Sequence, residues 1–263
     1  WMTQKLSKES DGKADGETDT AKTEDAAPEI TLNSLKITNG RLLFKNQQAG
    51  SEQLIENLNA NLNAESLTGP YAVKGDVTYA KKDIEFDLKA GKLDGNEKIY
   101  PVQGKVKFPD IDVEGEYSGV IAAPSPLKVD GELTVSAKDL EKTITAFSGS
   151  EADLPDGLGG ETSLKAKLAY DGNVVLLDQM RLSVGDLAYS GSVGVKDLSS
   201  DAPPLAISLV PDKDSRSKSS SALVAALSDL SVKGSGTFAN NVVKINTGTI
   251  GFRGQTISAS GTY

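Results

Sequence analysis

From Leu127 to Ala137 the chain reads L-K-V-D-G-E-L-T-V-S-A, with Leu127, Val129, Gly131, Leu133, Val135 and Ala137 at alternate positions. Lys128, Asp130, Glu132, Thr134 and Ser136 fill the gaps. Side chains on a strand point to opposite faces with period two, so one face of this segment is apolar and the other polar. That pattern belongs to an antiparallel sheet covered on one side only.

The pattern recurs along the chain. Ile84, Phe86, Leu88 and Ala90 alternate with Glu85, Asp87 and Lys89, and Val102, Gly104, Val106 and Phe108 alternate with Gln103, Lys105 and Lys107. Ile111 to Tyr117, Leu164 to Leu168, Leu187 to Val195, Leu205 to Leu209, Leu230 to Phe238 and Ile257 to Tyr263 read the same way. A glycine followed by apolar residues at alternate positions marks many of these units, at Gly75, Gly104, Gly131, Gly191 and Gly261. The first three are spaced by about 29 and about 27 residues, a period that betrays a repeat architecture. Two or three strands fit within such a period, so the chain is expected to grow by adding hairpins to one long sheet.

Composition narrows the chemistry. The net charge of −9 argues against nucleic acid as a partner, because neutralising phosphates needs a basic stripe and the lysines here are interleaved with acids. Outward charges of both signs solvate a sheet and discourage edge-to-edge aggregation. The chain has no Cys and no His. Disulfides, thiol nucleophiles, imidazole bases and the usual zinc sites are therefore excluded.

Other motifs stop short of a site. Asp110, Asp112 and Glu114 open like a calcium loop, yet Ile121 stands at the twelfth position where a carboxylate is needed. The glycines at Gly157 to Gly160 and at Gly234 and Gly236 lack the third glycine and the Lys-Ser or Lys-Thr pair of phosphate loops. No serine sits in G-x-S-x-G. No catalytic residue, metal or cofactor is expected, and the protein is read as non-enzymatic.

Residues 1–28 are rich in Asp, Glu, Lys, Thr, Gly and Ala, which is the composition of a disordered acidic linker. Residues 29–263 form the expected folded domain. Asn39-Gly40 reads as a hairpin turn, and Gly69-Pro70 punctuates the chain again. Two short helices are expected. Asp139 caps one with Leu140, Ile144 and Phe147 on its apolar stripe. Ser221 starts the other, Ala222 to Leu230, with Leu223, Leu227 and Leu230 facing inward. The polar run Pro211 to Ser221 reads as a loop. No apolar run approaches bilayer-spanning length. The chain begins at Trp1 and stops on a strand at Tyr263, which reads as a segment of something longer.

The run I-T-N-G-R-L-L-F at Ile37 to Phe44, L-N-A-N-L-N-A-E-S-L-T-G-P-Y at Leu58 to Tyr71, and the glycine-marked strand that follows resemble the AsmA family of bacterial envelope proteins. A-K-D-L at Ala137 to Leu140 and M-R-L-S-V-G-D-L-A-Y-S-G-S-V-G-V at Met180 to Val195 are also similar to that family and its relative TamB. The resemblance spans roughly residues 30–263 and is one of pattern. It implies a repeating β-groove that links the inner and outer membranes and serves phospholipid movement and outer-membrane biogenesis. It further implies a periplasmic location, with anchoring to the inner membrane by a helix that this sequence does not include.

The residues and the resemblance together set the expectations. The fold is all-β and mainly antiparallel, a long one-sided sheet curled into a groove of hairpin repeats, with one or two short helices. Some fifteen strands at about 4.8 Å spacing would extend roughly 70 Å. The expected ligand is a phospholipid or another acyl-chain lipid, and the expected surroundings are the envelope membranes. Edge-strand association with the rest of the chain or with an outer-membrane partner is the further expectation. Candidate groove-lining residues are Val77, Tyr79, Ile84, Phe86, Leu88, Val106, Phe108, Val113, Leu133, Val135, Leu182, Val184, Val193, Ile207, Phe238 and Ile257. The alternative is a structural or adhesive β-solenoid, an interaction scaffold with a dry core.

Overall fold

The computed structural model describes residues 34–46, 51–66, 68–92, 99–122, 127–212, 222–239 and 242–259. The expected linker at 1–28 lies outside them. The strands are β1 (Leu35–Asn46), β2 (Ser51–Ala64), β3 (Tyr71–Tyr79), β4 (Lys82–Ala90), β5 (Ile99–Phe108), β6 (Val113–Ala122) and β7 (Lys128–Ala137). They continue as β8 (Thr162–Tyr170), β9 (Val175–Val184), β10 (Leu187–Val195), β11 (Pro204–Pro211), β12 (Leu230–Ala239), β13 (Val242–Phe252) and β14 (Gln255–Ala259). All fourteen form one sheet whose spatial order is the chain order. Every pairing is antiparallel, and β1 and β14 are the two edges. Gly75, Gly104 and Gly131 fall on β3, β5 and β7, so the repeat in the sequence corresponds to two strands.

Among the described residues two helices and one 3-10 turn interrupt the strands. They are α1 (Leu140–Ser148), α2 (Ala222–Leu227) and the turn Pro109–Ile111. Asp139 caps α1 as expected, its carboxylate accepting the Lys142 N–H at 2.9 Å. Helix α2 is shorter than expected and buries a different residue. Leu230 opens β12 instead of closing the helix, Leu223 is exposed, and Val224, only 1% exposed, is the side chain that is buried. The Ile111 strand is likewise shorter, since Pro109 sets φ for a tight turn and β6 begins at Val113.

Asn39-Gly40 is not a hairpin turn. Strand β1 runs straight through it, with register shifts on both sides of Gly40 and Asn39 at φ 51°. The Asn39 N–H donates to Asn59 Oδ1 at 3.0 Å. The dipeptide's tolerance of left-handed backbone is used here for a bulge.

Glycines crease the sheet. A Cβ at Gly191 would overlap the Ser208 carbonyl of the next strand, and one at Gly75 would overlap the Asn59 carbonyl. Gly236 stands in the same relation to Lys244, and Gly119 to Asp130. At each crease the neighbouring backbone occupies the space of a side chain, which only glycine permits; such kinks are how a sheet acquires curvature. Gly115 has open space and Gly104 meets only a Leu88 methyl, so the repeated glycine is a crease at some repeats and a plain strand residue at others.

Candidate functional site: one apolar face

Register decides which side chains share a face, because directly paired residues point the same way. Phe86 pairs with Val106, and the row continues through Gly115, Val135, Leu164 and Leu182 to Tyr189. A second row runs Leu88, Gly104, Tyr117, Leu133, Ala166. A third crosses from Ala90 through Val102, Gly119, Gly131, Leu168, Leu177, Val193, Ile207, Gly234 and Gly248 to Ala259. Met180, Gly191, Leu209, Val232, Ile250 and Ile257 make a fourth. Near one ends-of-strand margin, Phe108, Val113, Ala137, Thr162, Val184 and Leu187 make a fifth.

Val77 pairs with Ile84, and Tyr79 pairs with Lys82, which places them on this face as well. The sequence-derived lining residues therefore come together on one surface. Phe238 pairs with Val243 in register, but its side chain lies outside the described residues.

Bulges keep the face continuous. In β9 the register shifts by one residue at Gln179, whose φ is 48°. Leu177 and Met180 consequently share a face despite their odd spacing. Strand β13 does the same near Asn246, so Ile245 and Gly248 point together. An extra residue in one strand is what a β-bulge supplies.

Two tyrosines of this face satisfy their hydroxyls on backbone carbonyls. Tyr117 Oη donates to the Val120 and Asp130 carbonyls at 3.2 and 3.1 Å, lying across the Gly119–Gly131 crease. Tyr189 Oη donates to the Leu227 carbonyl at 2.6 Å and so ties α2 to the sheet. Burial pushes both phenols above their ordinary pKa.

The opposite face is polar and paired. Lys74, Asp87, Lys105 and Glu116 form a cross-strand row of alternating charge. Lys105 Nζ lies 2.6 Å from Glu116 Oε1 and also pairs with Glu114, which Lys107 holds at 3.1 Å. Hydrogen bonds from Lys105 and Lys107 keep the Glu114 carboxyl below its usual range, while Glu114 and Glu116 hold Lys105 above its own. Lys138 reaches Asp112 at 2.8 Å and lowers that carboxyl likewise. Two of the three acids that resemble the opening of a calcium loop, Asp112 and Glu114, are thus engaged by lysines. Among the described residues no cluster of three or more His, Cys, Asp or Glu stands ready for a metal.

Helical cover on the apolar face lies at one margin, while Ala64, Ala166 and Met180 are buried outside it. The 3-10 turn, α1 and α2 lie where β5 ends, β7 ends and β11 ends. Phe147 of α1 meets Phe108 edge-on, centroids 5.7 Å apart and rings at 79°. Ile111, Ala137, Leu187 and Val224 are buried there. Away from it, Leu88 is 40% exposed, and Ile250 and Ile257 are exposed too. The other margin carries turns and loops between strands, such as 171–174.

One residue was not anticipated from the sequence. Lys82, two positions before Ile84, shares its face. It is the only charged residue that the register places on the apolar face among the described strand residues. Its Nζ sits 5.2 Å from the centre of the Phe147 ring. Extending the Ile84-Phe86-Leu88 alternation back by one step would have found it.

Among the described residues no helix is long and apolar enough to cross a membrane. Comparison with protein-family models, with curated proteins and with solved structures gave no match.

Proposed function

We propose that the apolar face is a groove that carries or shields the acyl chains of lipids, without catalysing a reaction. The observation that carries this reading is the continuity of the apolar rows from strand to strand, with helical cover at one margin and large apolar side chains such as Leu88, Ile250 and Ile257 exposed. An uncovered face of this extent is unfavourable in water, and each Å² of it covered by an acyl chain gains about 25 cal/mol. Thirteen spacings of about 4.8 Å give the sheet a run of roughly 60 Å, enough for more than one lipid.

The sequence resemblance to the AsmA family gives the setting for this proposal: the bacterial periplasm, inner-membrane anchoring, and phospholipid transport in outer-membrane biogenesis. A scaffold with a dry core is the competing reading. The groove is favoured over it because Val224 is the only large side chain among the described residues that is essentially inaccessible, whereas a packed solenoid buries a row of such residues in each repeat.

Native mass spectrometry of protein extracted from bacterial cells tests the proposal. Co-purifying phospholipid that is lost from the Leu88→Arg variant is the expected result. Lipid-free protein, together with no uptake of a fluorescent phospholipid, would refute the groove.

A further inference from the structure

We infer that the helix-bearing margin of the groove holds the anionic headgroup of a lipid, with Lys82 as the contact for its phosphate. This rests on the groove reading and adds a polarity to it. The apolar face offers mostly carbon: apart from a few neutral polar residues such as Thr162 and Gln255, its alternate positions are aliphatic, aromatic or glycine, and Tyr117 and Tyr189 direct their hydroxyls to backbone carbonyls. An amphiphile with apolar tails and one negative head is complementary to such a surface only where a cation interrupts it.

Lys82 is that interruption, and its placement is specific. It is the first residue of β4, so its ammonium lies at the margin, where a headgroup stays hydrated while the tails run inward along β4 over Ile84, Phe86 and Leu88. A cation in the middle of the face would carry a desolvation penalty that this position avoids. The ammonium rests over the Phe147 ring, 5.2 Å from its centroid, and among the described residues no carboxylate lies within salt-bridge distance of it. The outer face differs in its register, where lysines stand opposite acids, Lys74 against Asp87, Lys105 against Glu116, Lys107 against Glu114 and Lys167 against Glu132, whereas Lys82 stands opposite Tyr79. A lysine with three donors and no acid partner on an otherwise apolar face is suited to a phosphate oxygen, which it binds as a point charge.

The test compares two probes with identical fluorescent acyl tails, phosphatidylglycerol and diacylglycerol, on the full chain. Lys82→Glu is expected to weaken phosphatidylglycerol roughly tenfold, as loss of a charge-assisted contact implies, and to leave diacylglycerol within about twofold. Lys82→Arg keeps the charge and is expected to retain phosphatidylglycerol binding. Circular dichroism melts of both variants confirm the fold, which a margin residue should leave intact. Millimolar inorganic phosphate is expected not to displace phosphatidylglycerol. Displacement by phosphate alone would assign the site to a free anion and overturn the headgroup role. Equal losses for both probes would mean that the substitution damages the groove, and no loss for either would mean that Lys82 does not meet the head; each result overturns the inference. Failure of the parent protein to bind either probe would instead remove the groove itself.

Discussion

Leu187 and Leu88 point to the same face of one sheet, yet the first is 4% exposed and the second 40%. The difference is cover. Leu187 lies at the margin where α1, α2 and the Pro109–Ile111 turn are placed, together with Ala137, Ile111 and Val224. Leu88 lies in the middle of β4, in a row with Gly104, Tyr117 and Leu133, away from those elements. The same period-two pattern thus produces a small packed core in one place and an accessible apolar surface in another. Apolar alternation identifies a face that avoids water, but not what covers it.

The contrast can be broken most sharply at Val224. Val224→Asp puts an unpaired carboxylate into the packed margin, and a loss of about 3 kcal/mol or more is expected by urea denaturation. Leu88→Asp on the open face is expected to cost less than about 1 kcal/mol, because its carboxylate reaches solvent. Equal costs would mean that the two regions are equally buried. Next in size is the crease: Gly191→Ala forces a Cβ onto the Ser208 carbonyl, and about 2 kcal/mol should be lost. Gly115→Ala, with open space around it, should stay within about 0.5 kcal/mol of the parent. A smaller effect on stability, but a large one on ligand, is expected from Leu88→Arg. Its melting midpoint should move by only a few degrees, about the effect of 1 kcal/mol or less, while uptake of a fluorescent phospholipid falls.

The smallest effect belongs to the polar face. Glu114 has its carboxyl lowered by Lys105 and Lys107, so its contribution is present above the ordinary carboxylate range and is lost as pH falls through the depressed value. Lys105 is raised; its contribution is complete below the ordinary lysine range and is lost as pH rises through the higher value. Stability from this network should therefore be level near neutrality and fall at both extremes. Exposure keeps the amplitude small. In melts across pH, Glu114→Gln should remove the acidic limb that this carboxylate contributes; an unchanged limb would mean that the ion pairs do not matter.

Much of this was legible in the sequence, and the failures have a common cause. Strands β4, β5, β7, β8 and β10 follow simple alternation, and period alone separates the residues that the register places on one face. Strand β13 was passed over, because the bulge near Asn246 shifts its phase between Ile245 and Gly248. The bulge at Gln179 similarly separates Leu177 from Met180 in β9. A period-two reading loses a strand wherever one extra residue resets the phase. Asn39-Gly40 misled for a related reason, since the conformation that favours a two-residue turn also suits a bulge within a strand. Val224 was displaced by Leu223 and Leu227 in the reading because a six-residue helix is too short for periodicity to choose its buried side. Lys82 went unnoticed because it is charged, and an alternation traced through apolar residues alone stops at Ile84.

Strand order that repeats chain order has a consequence for how such a molecule can change in size. Among the described residues each strand pairs only with its predecessor and its successor, and none of these pairings joins distant parts of the chain. Inserting one more hairpin between two existing ones would add roughly 10 Å to the span without breaking any other pairing. A barrel or a Greek key offers no such freedom, because its closing or crossing connections depend on the number of strands. Here span is an additive property, set by counting hairpins, and the distance the surface covers can be altered by duplication or deletion while its cross-section remains the same.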